Sequence, residues 1–255
     1  MELPNLARLV YRNVKVNTDV GTLIFLVGLP ALYLVFFGFG FQSFASAGSA
    51  PNSYIIFLTP GIMSFQTIMA GTVGGSMLWA DRRWGMLAQL LVGPFTRLQY
   101  LLGIMFTTVM FGLAGAMVML VGSYLLTGVT SISALGALAA AVALLIGSIF
   151  FGSLMLLISA LVKSNNAYNS IQVLVIFVVN FASPVFYPLS SGLPIPIRAL
   201  FMVTPLTYVV NVVRDGYNGA VGMGDVYQLV GLSVLTAAAL FIAVRAYMRS
   251  DVSYT

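Results

Sequence analysis

Residues 20–41 read VGTLIFLVGLPALYLVFFGFGF, with no Asp, Glu, Lys or Arg among them. A helix that crosses the ~30 Å hydrocarbon core of a bilayer needs about 20 consecutive apolar residues, and this run supplies them. It opens a longer charge-free stretch, from Asp19 to Asp81, and two more follow, Leu98 to Val162 and Ser164 to Ile197. The first two are too long for one crossing and long enough for two. Composition agrees: of 255 residues 60% are hydrophobic and 7% charged, where a soluble domain has about 45–50% and about 25%. Disorder, which needs low hydrophobicity and high charge, is excluded as well.

Turn residues divide the runs. Residues 42–53 (QSFASAGSAPNS) are rich in Ser, Ala and Gly and contain Pro51; 127–131 (TGVTS) and 163–168 (KSNNAY) are polar breaks. The spans are therefore expected at 20–41, 54–80, 98–126, 132–162, 169–187 and 226–244, giving an all-α integral membrane protein with six transmembrane helices in a single domain. With the N-terminus in the cytoplasm, the inner segments hold Arg8, Arg12, Lys15, Arg82, Arg83, Arg97, Lys163, Arg245 and Arg249, and the outer ones only Arg198 and Arg214. Positive charge collects on the cytoplasmic side. The expectation is a multi-pass protein of the cell (plasma) membrane with both termini cytoplasmic. Ala45-Ser46-Ala47 has the form of a signal cleavage site, but the apolar run before it is about 22 residues against 7–15 for a signal peptide, so the first span is read as retained.

Residues 1–19 are expected to form an interfacial helix. Pro4 suits a first turn. Leu3, Leu6, Ala7, Val10 and Val14 recur at helical spacing, and Arg8, Arg12, Lys15 and Asp19 share another face. Such a helix lies in the membrane interface, as a topology anchor or a docking element.

Several chemistries are excluded. The chain has no Cys and no His, so disulfides, thiolate sites, His-dependent triads and zinc motifs are ruled out. No charged residue falls at the centre of a span, which argues against a charge-coupled carrier. Asn180, in the fifth span, reads as an interhelical hydrogen-bonding group or as part of a pathway. The phosphate-binding G-x-x-x-x-G-K-[ST] loop is absent, since the only lysines are Lys15 and Lys163; any ATP must be bound by another chain. Gly71 and Gly75 form a G-x-x-x-G pair that allows close helix packing. The aromatics Tyr33, Phe36, Phe37, Phe39 and Phe41 end the first span, as an interfacial belt or, through Phe37 and Phe41, as the lining of a substrate path.

Between spans two and three lies DRRWGMLAQLLVGP, residues 81–94. Met86, Leu87, Leu90 and Leu91 recur at helical spacing and Gly93-Pro94 ends the run. A short helix with an apolar stripe is unstable alone in water; it requires a partner groove or the bilayer surface. This segment resembles the coupling helix of type-2 ABC exporter permeases, whose pattern is roughly E/D-R-E-x-G-T-L-E-Q-L-L-V-S-P. It agrees at Asp81, Arg82, Gly85, Leu87, Gln89, Leu90, Leu91, Val92 and Pro94, and departs at Arg83, Met86 and Ala88. A second block, 183–214, is similar to the family's S-x-x-F-P…L-P…R…N-P-L-T-Y…R through Ser183, Phe186, Pro188, Leu193, Pro194, Arg198, Pro205, Leu206, Thr207, Tyr208 and Arg214, with Thr204 in place of Asn. Its prolines break continuous helix, and its short apolar runs cannot span. Residues 188–215 are therefore expected to form two short re-entrant helices covered by protein. Arg198 and Arg214 would lie near the outer headgroups, anchoring, pairing with Asp215 or Asp225, or touching substrate.

The resemblance implies an ABC exporter permease working as a homodimer, or with a similar chain, beside two ATPase subunits that bind ATP and Mg. It implies that Asp81, Arg82, Arg83, Trp84, Gly85, Met86, Leu87, Gln89, Leu90 and Leu91 couple to the ATPase. Phe186, Pro188, Pro194, Pro205, Leu206 and Tyr208 would form an external gate. The expected cargo is amphipathic, a drug, lipid or lipid-linked glycan; membrane lipid is a further partner and nucleic acid is not. The rival classes are a channel or ion-independent carrier, and an integral-membrane lipid-modifying enzyme.

Overall fold

The computed structural model describes residues 3–45, 53–128, 132–188 and 194–250. Among these every regular element is helical: α1 (Leu3–Val16), α2 (Val20–Leu23), a π-helical stretch (Ile24–Gly28), α3 (Leu29–Ala45), α4 (Ser53–Arg83), α5 (Met86–Val92), α6 (Arg97–Thr127), α7 (Ala134–Leu161), α8 (Asn165–Phe181), α9 (Ile195–Val203), α10 (Pro205–Tyr217) and α11 (Met223–Arg249). Five helical stretches are long and apolar enough to cross a membrane: Val20–Phe41, Tyr54–Arg83, Arg97–Thr127, Ala134–Leu161 and Met223–Arg249. The pair α9–α10, bent by 80°, makes a sixth if counted as one.

Sequence chemistry explains where these helices start, bend and stop. Asp19 caps α2, accepting from the Thr22 N–H at 3.2 Å and its hydroxyl at 2.6 Å; these bonds hold its carboxyl below the usual range. α2 runs on into the π stretch, where the Leu29 N–H reaches back to the Ile24 carbonyl. Pro30 follows, with no N–H to donate and a ring that crowds the carbonyl four residues earlier, so the widened turn relieves that crowding. Thr96 and Gln99 cap α6 reciprocally. Thr204 precedes Pro205 and is pushed into extended backbone (φ −71°, ψ 121°). That single residue breaks α9 from α10. α8 covers most of the expected fifth span, 169–187, but starts at Asn165 and ends at Phe181. Its 17 residues rise about 25 Å, and Pro184 bars its extension.

α4 is the axis of the fold. Its membrane-length window is 89% buried, against 17% for Val20–Phe41 and for α11. It packs on α3, α6, α7 and α10. Gly71 and Gly75 face Phe151 and Met155 of α7; an added Cβ would come within 2.7 Å of the Phe151 carbonyl carbon and of Met155 Cβ. The G-x-x-x-G pair therefore lets the α7 backbone approach α4 closely. Gly71→Leu is expected to overpack this seam, costing about 1–3 kcal/mol or more because backbone is opposed. The measurement is the loss of the monodisperse peak in gel filtration of detergent-solubilised protein.

α1 differs from expectation in length and in its docking face. It ends at Val16, and Asp19 belongs to the next helix's cap. Asn5, Leu9 and Asn13, one turn apart, are its buried stripe, with Leu9 seated against Gly103 of α6. Leu6, Val10 and Val14 remain only partly covered.

Candidate functional site

Hydrogen bonds gather five helix ends at one end of the bundle. Arg12 of α1 donates to both oxygens of Asp81, at 2.7 and 2.6 Å, and the Tyr100 hydroxyl donates to Asp81 Oδ2 at 2.7 Å. This ties α1, the end of α4 and the start of α6 together. The bond to Asp81 pushes the Arg12 guanidinium up from arginine's usual range, against the opposing effect of burial. A raised basic group keeps its stabilisation below that range and loses it only above, so on the Arg12 side the tether is insensitive to pH near neutrality. Arg82 is 1% exposed and donates to the Ser159 and Ala160 carbonyls at 3.0 and 3.1 Å, in the last turn of α7. Arg97 donates to the Met248 carbonyl at 3.0 Å, in the last turn of α11.

The expected inner charges thus lie at a common end, and α5 hangs from it. Residues 81–83, expected as part of the coupling helix, continue α4 instead. Gly85 then turns the chain in left-handed conformation (φ 70°), which glycine adopts without strain, and α5 occupies only Met86–Val92. Leu87 is buried, and Leu90 and Leu91 pack partly on the core. Trp84 (77% exposed), Met86 (39%) and Val92 (90%) face outward, as do Arg83 and Gln89. The Arg83 guanidinium lies 5.2 Å from the Trp79 ring centre and 5.9 Å from that of Trp84. The expected coupling residues therefore divide in two: Asp81, Arg82 and Leu87 hold the segment to the bundle, while Arg83, Trp84, Met86 and Gln89 form its free face, which Val92, outside that set, extends. Sequence reasoning missed Arg12 and Tyr100 as partners of Asp81. The available signal was a rare acid at a helix end on the side where nine basic residues collect.

The opposite end is aromatic. Phe186, 6% exposed, meets Phe37 at 5.0 Å, Tyr33 at 5.6 Å and Phe181 at 5.7 Å between ring centres. Phe41 stacks on Phe37 at 5.5 Å and lies 5.6 Å from Tyr54, whose hydroxyl donates to the Phe186 carbonyl at 2.8 Å. The aromatic run of α3 thus splits by helical period: Tyr33 and Phe37 turn inward and are partly buried, while Phe36, Phe39 and Phe41 are exposed, Phe41 resting on the outer face of Phe37. Two candidate pathway residues and one candidate gate residue are brought together here. Asn180, beside Phe181, is buried with its side-chain carbonyl unpartnered. Leu206 is buried, Tyr208 donates to the Met202 carbonyl at 2.8 Å, and Pro188 and Pro194 are exposed; Leu193 lies outside the described residues. Arg214 donates to the Pro184 carbonyl at 2.8 Å and covers the Phe57 ring at 4.2 Å. Those contacts, rather than a salt bridge to Asp215 or Asp225, hold it. Among the described residues, no group of three or more His, Cys, Asp or Glu could hold a metal.

The described residues thus form a helical bundle with five to six membrane-length spans and a short surface helix slung from its central helix. The chain belongs to the ABC-2 type transporter family, whose model matches residues 6–218. It is accordingly a multi-pass membrane permease of the ABC class, whose members work with ABC ATPase subunits. The comparison with individual curated proteins gave no match.

Proposed function

We propose that the chain forms the translocation path of an ATP-driven exporter for an amphipathic substrate. Two copies stand side by side in the cell membrane, with the basic end and both termini in the cytoplasm, and two separate ATPase subunits bind ATP and Mg. The observation that carries this reading is α5. It exposes Trp84, Met86 and Val92 at the end of the most enclosed helix of the fold. Closure of the ATPase pair would move α5, and Asp81 and Arg82 would pass that movement to α1, α6 and α7 as one body. A ligand shifts such a two-state equilibrium only by its differential affinity for the states; ATP, through the motor, supplies the difference. The aromatic end, with Phe186, Leu206 and Tyr208, would form the external gate, and Phe37, Phe41 and Asn180 its approach.

Purified alone, the chain is expected to show no ATP hydrolysis. Reconstituted with its ATPase in vesicles, it should move substrate only when ATP is added on the side of the basic end. Turnover by the lone chain, or ATP-independent flux, would overturn the division of labour.

A further inference from the structure

The arginines at the basic end differ in what holds them. Arg8 on α1 is exposed, and Arg83 lies over the Trp79 and Trp84 rings. Arg12, Arg82 and Arg97 are engaged within the chain, with the Asp81 carboxylate or with helix-end carbonyls. Arg245 and Arg249 are exposed, and among the described residues neither has a carboxylate partner. They lie four residues apart on α11 and so share a face, with Arg245 resting 5.4 Å from the centre of the Phe241 ring. Both line a groove between the last turns of α7 and α11, whose walls include Leu157, Leu161, Phe241 and Ile242. Leu161, Phe241 and Ile242 are 66%, 62% and 52% exposed. The bond from Arg97 to the Met248 carbonyl fixes the α11 turn that carries Arg249.

We propose that this groove is a binding site for an anionic phospholipid. The apolar walls suit an acyl chain, and the two guanidiniums at the mouth suit a phosphodiester, since arginine matches phosphate oxygens with paired N–H donors. A free anion would leave the walls uncovered, and a zwitterionic lipid would set its own cation against two arginines. Basic pockets between membrane helices at the headgroup level recognise such lipids. The site goes beyond the exporter reading: it depends on membrane insertion and on the basic end, not on direction of transport or on an ATPase.

The test uses the whole chain in detergent, titrated with phosphatidylglycerol or phosphatidylcholine and followed by native mass spectrometry and thermal unfolding. Phosphatidylglycerol is expected to be retained and to raise the unfolding midpoint, and phosphatidylcholine to do neither. R245Q/R249Q should weaken phosphatidylglycerol retention at least tenfold. Ala246→Trp, which fills the groove but keeps both charges, should do the same. R8Q/K15Q, which removes as much charge from exposed positions of α1, should leave retention unchanged, and glycerophosphate without acyl chains should not compete. Equal retention of phosphatidylcholine, equal loss in R8Q/K15Q, or wild-type retention in Ala246→Trp would each overturn the site in favour of a diffuse field.

Discussion

Trp84→Glu combined with Val92→Asp is expected to strip the ATPase from the complex while the permease still inserts and folds. Both side chains stand clear of the bundle, at 77% and 90% exposure. Surface substitutions of that kind cost a folded chain within about 0.5 kcal/mol. In a docked groove the same positions would bury large apolar area, each worth about 1.5–3 kcal/mol, and would now carry unpaired carboxylates. The combined loss, about 4 kcal/mol, corresponds to roughly a thousandfold in affinity. Co-purification of the tagged chain with its ATPase measures the first effect, and the thermal midpoint of the permease alone measures the second. Leu87→Asp makes the contrast: Leu87 is 2% exposed, so that change should lower the permease's own midpoint. If the double variant retains its ATPase at wild-type levels, the motor docks elsewhere and α5 is only an interfacial helix.

The outline of the fold was legible because hydrophobic length and charge position are local properties. Charge-free runs located the long helices, and the prolines of residues 188–215 signalled short helices there, whereas the fifth span was carried through Pro184 to residue 187 and in fact ends at Phe181. What the sequence left hidden was tertiary. The stripe of α1 that docks contains Asn5 and Asn13, because a small neighbour, Gly103, and nearby polar groups accept it; periodicity of apolar residues pointed to Leu6, Val10 and Val14 instead. Asp81 and Arg82 carry charge and so read as surface groups. Their partners, Arg12, Tyr100 and the α7 carbonyls, lie 19 to 78 positions away. The paired glycines at 71 and 75 gave a weak signal among 25 glycines, and only the approach of Phe151 and Met155 distinguishes them. At the aromatic end, the residues were visible but not their division into inward and outward faces.

Arg82→Met is expected to uncouple the two longest-packed helices of the bundle without removing the ATPase docking face. The last carbonyls of α7 have no partners within their own helix, and a cation there also complements the helix dipole. Arg82 supplies both, from a position with 1% exposure, through bonds of 3.0 and 3.1 Å to Ser159 and Ala160. Hydrogen bonds to a charged group contribute about 1.5–3 kcal/mol each. Methionine keeps the length and apolar stem but neither bond, so a loss of about 3 kcal/mol is expected, seen as an unfolding midpoint several degrees lower. Arg82→Lys keeps the charge but not the forked donor and should fall between. The functional signature separates this variant from the surface pair at Trp84 and Val92. ATPase should still co-purify with Arg82→Met, because the exposed face of α5 is intact, yet ATP-driven flux should fall, because displacement of α5 no longer reaches α7 through a fixed joint. Should flux and midpoint both stay at wild-type values, the Arg82 joint carries neither stability nor movement, and α5 is linked to the bundle through the Asp81–Arg12 tether and the packing of Leu87 instead.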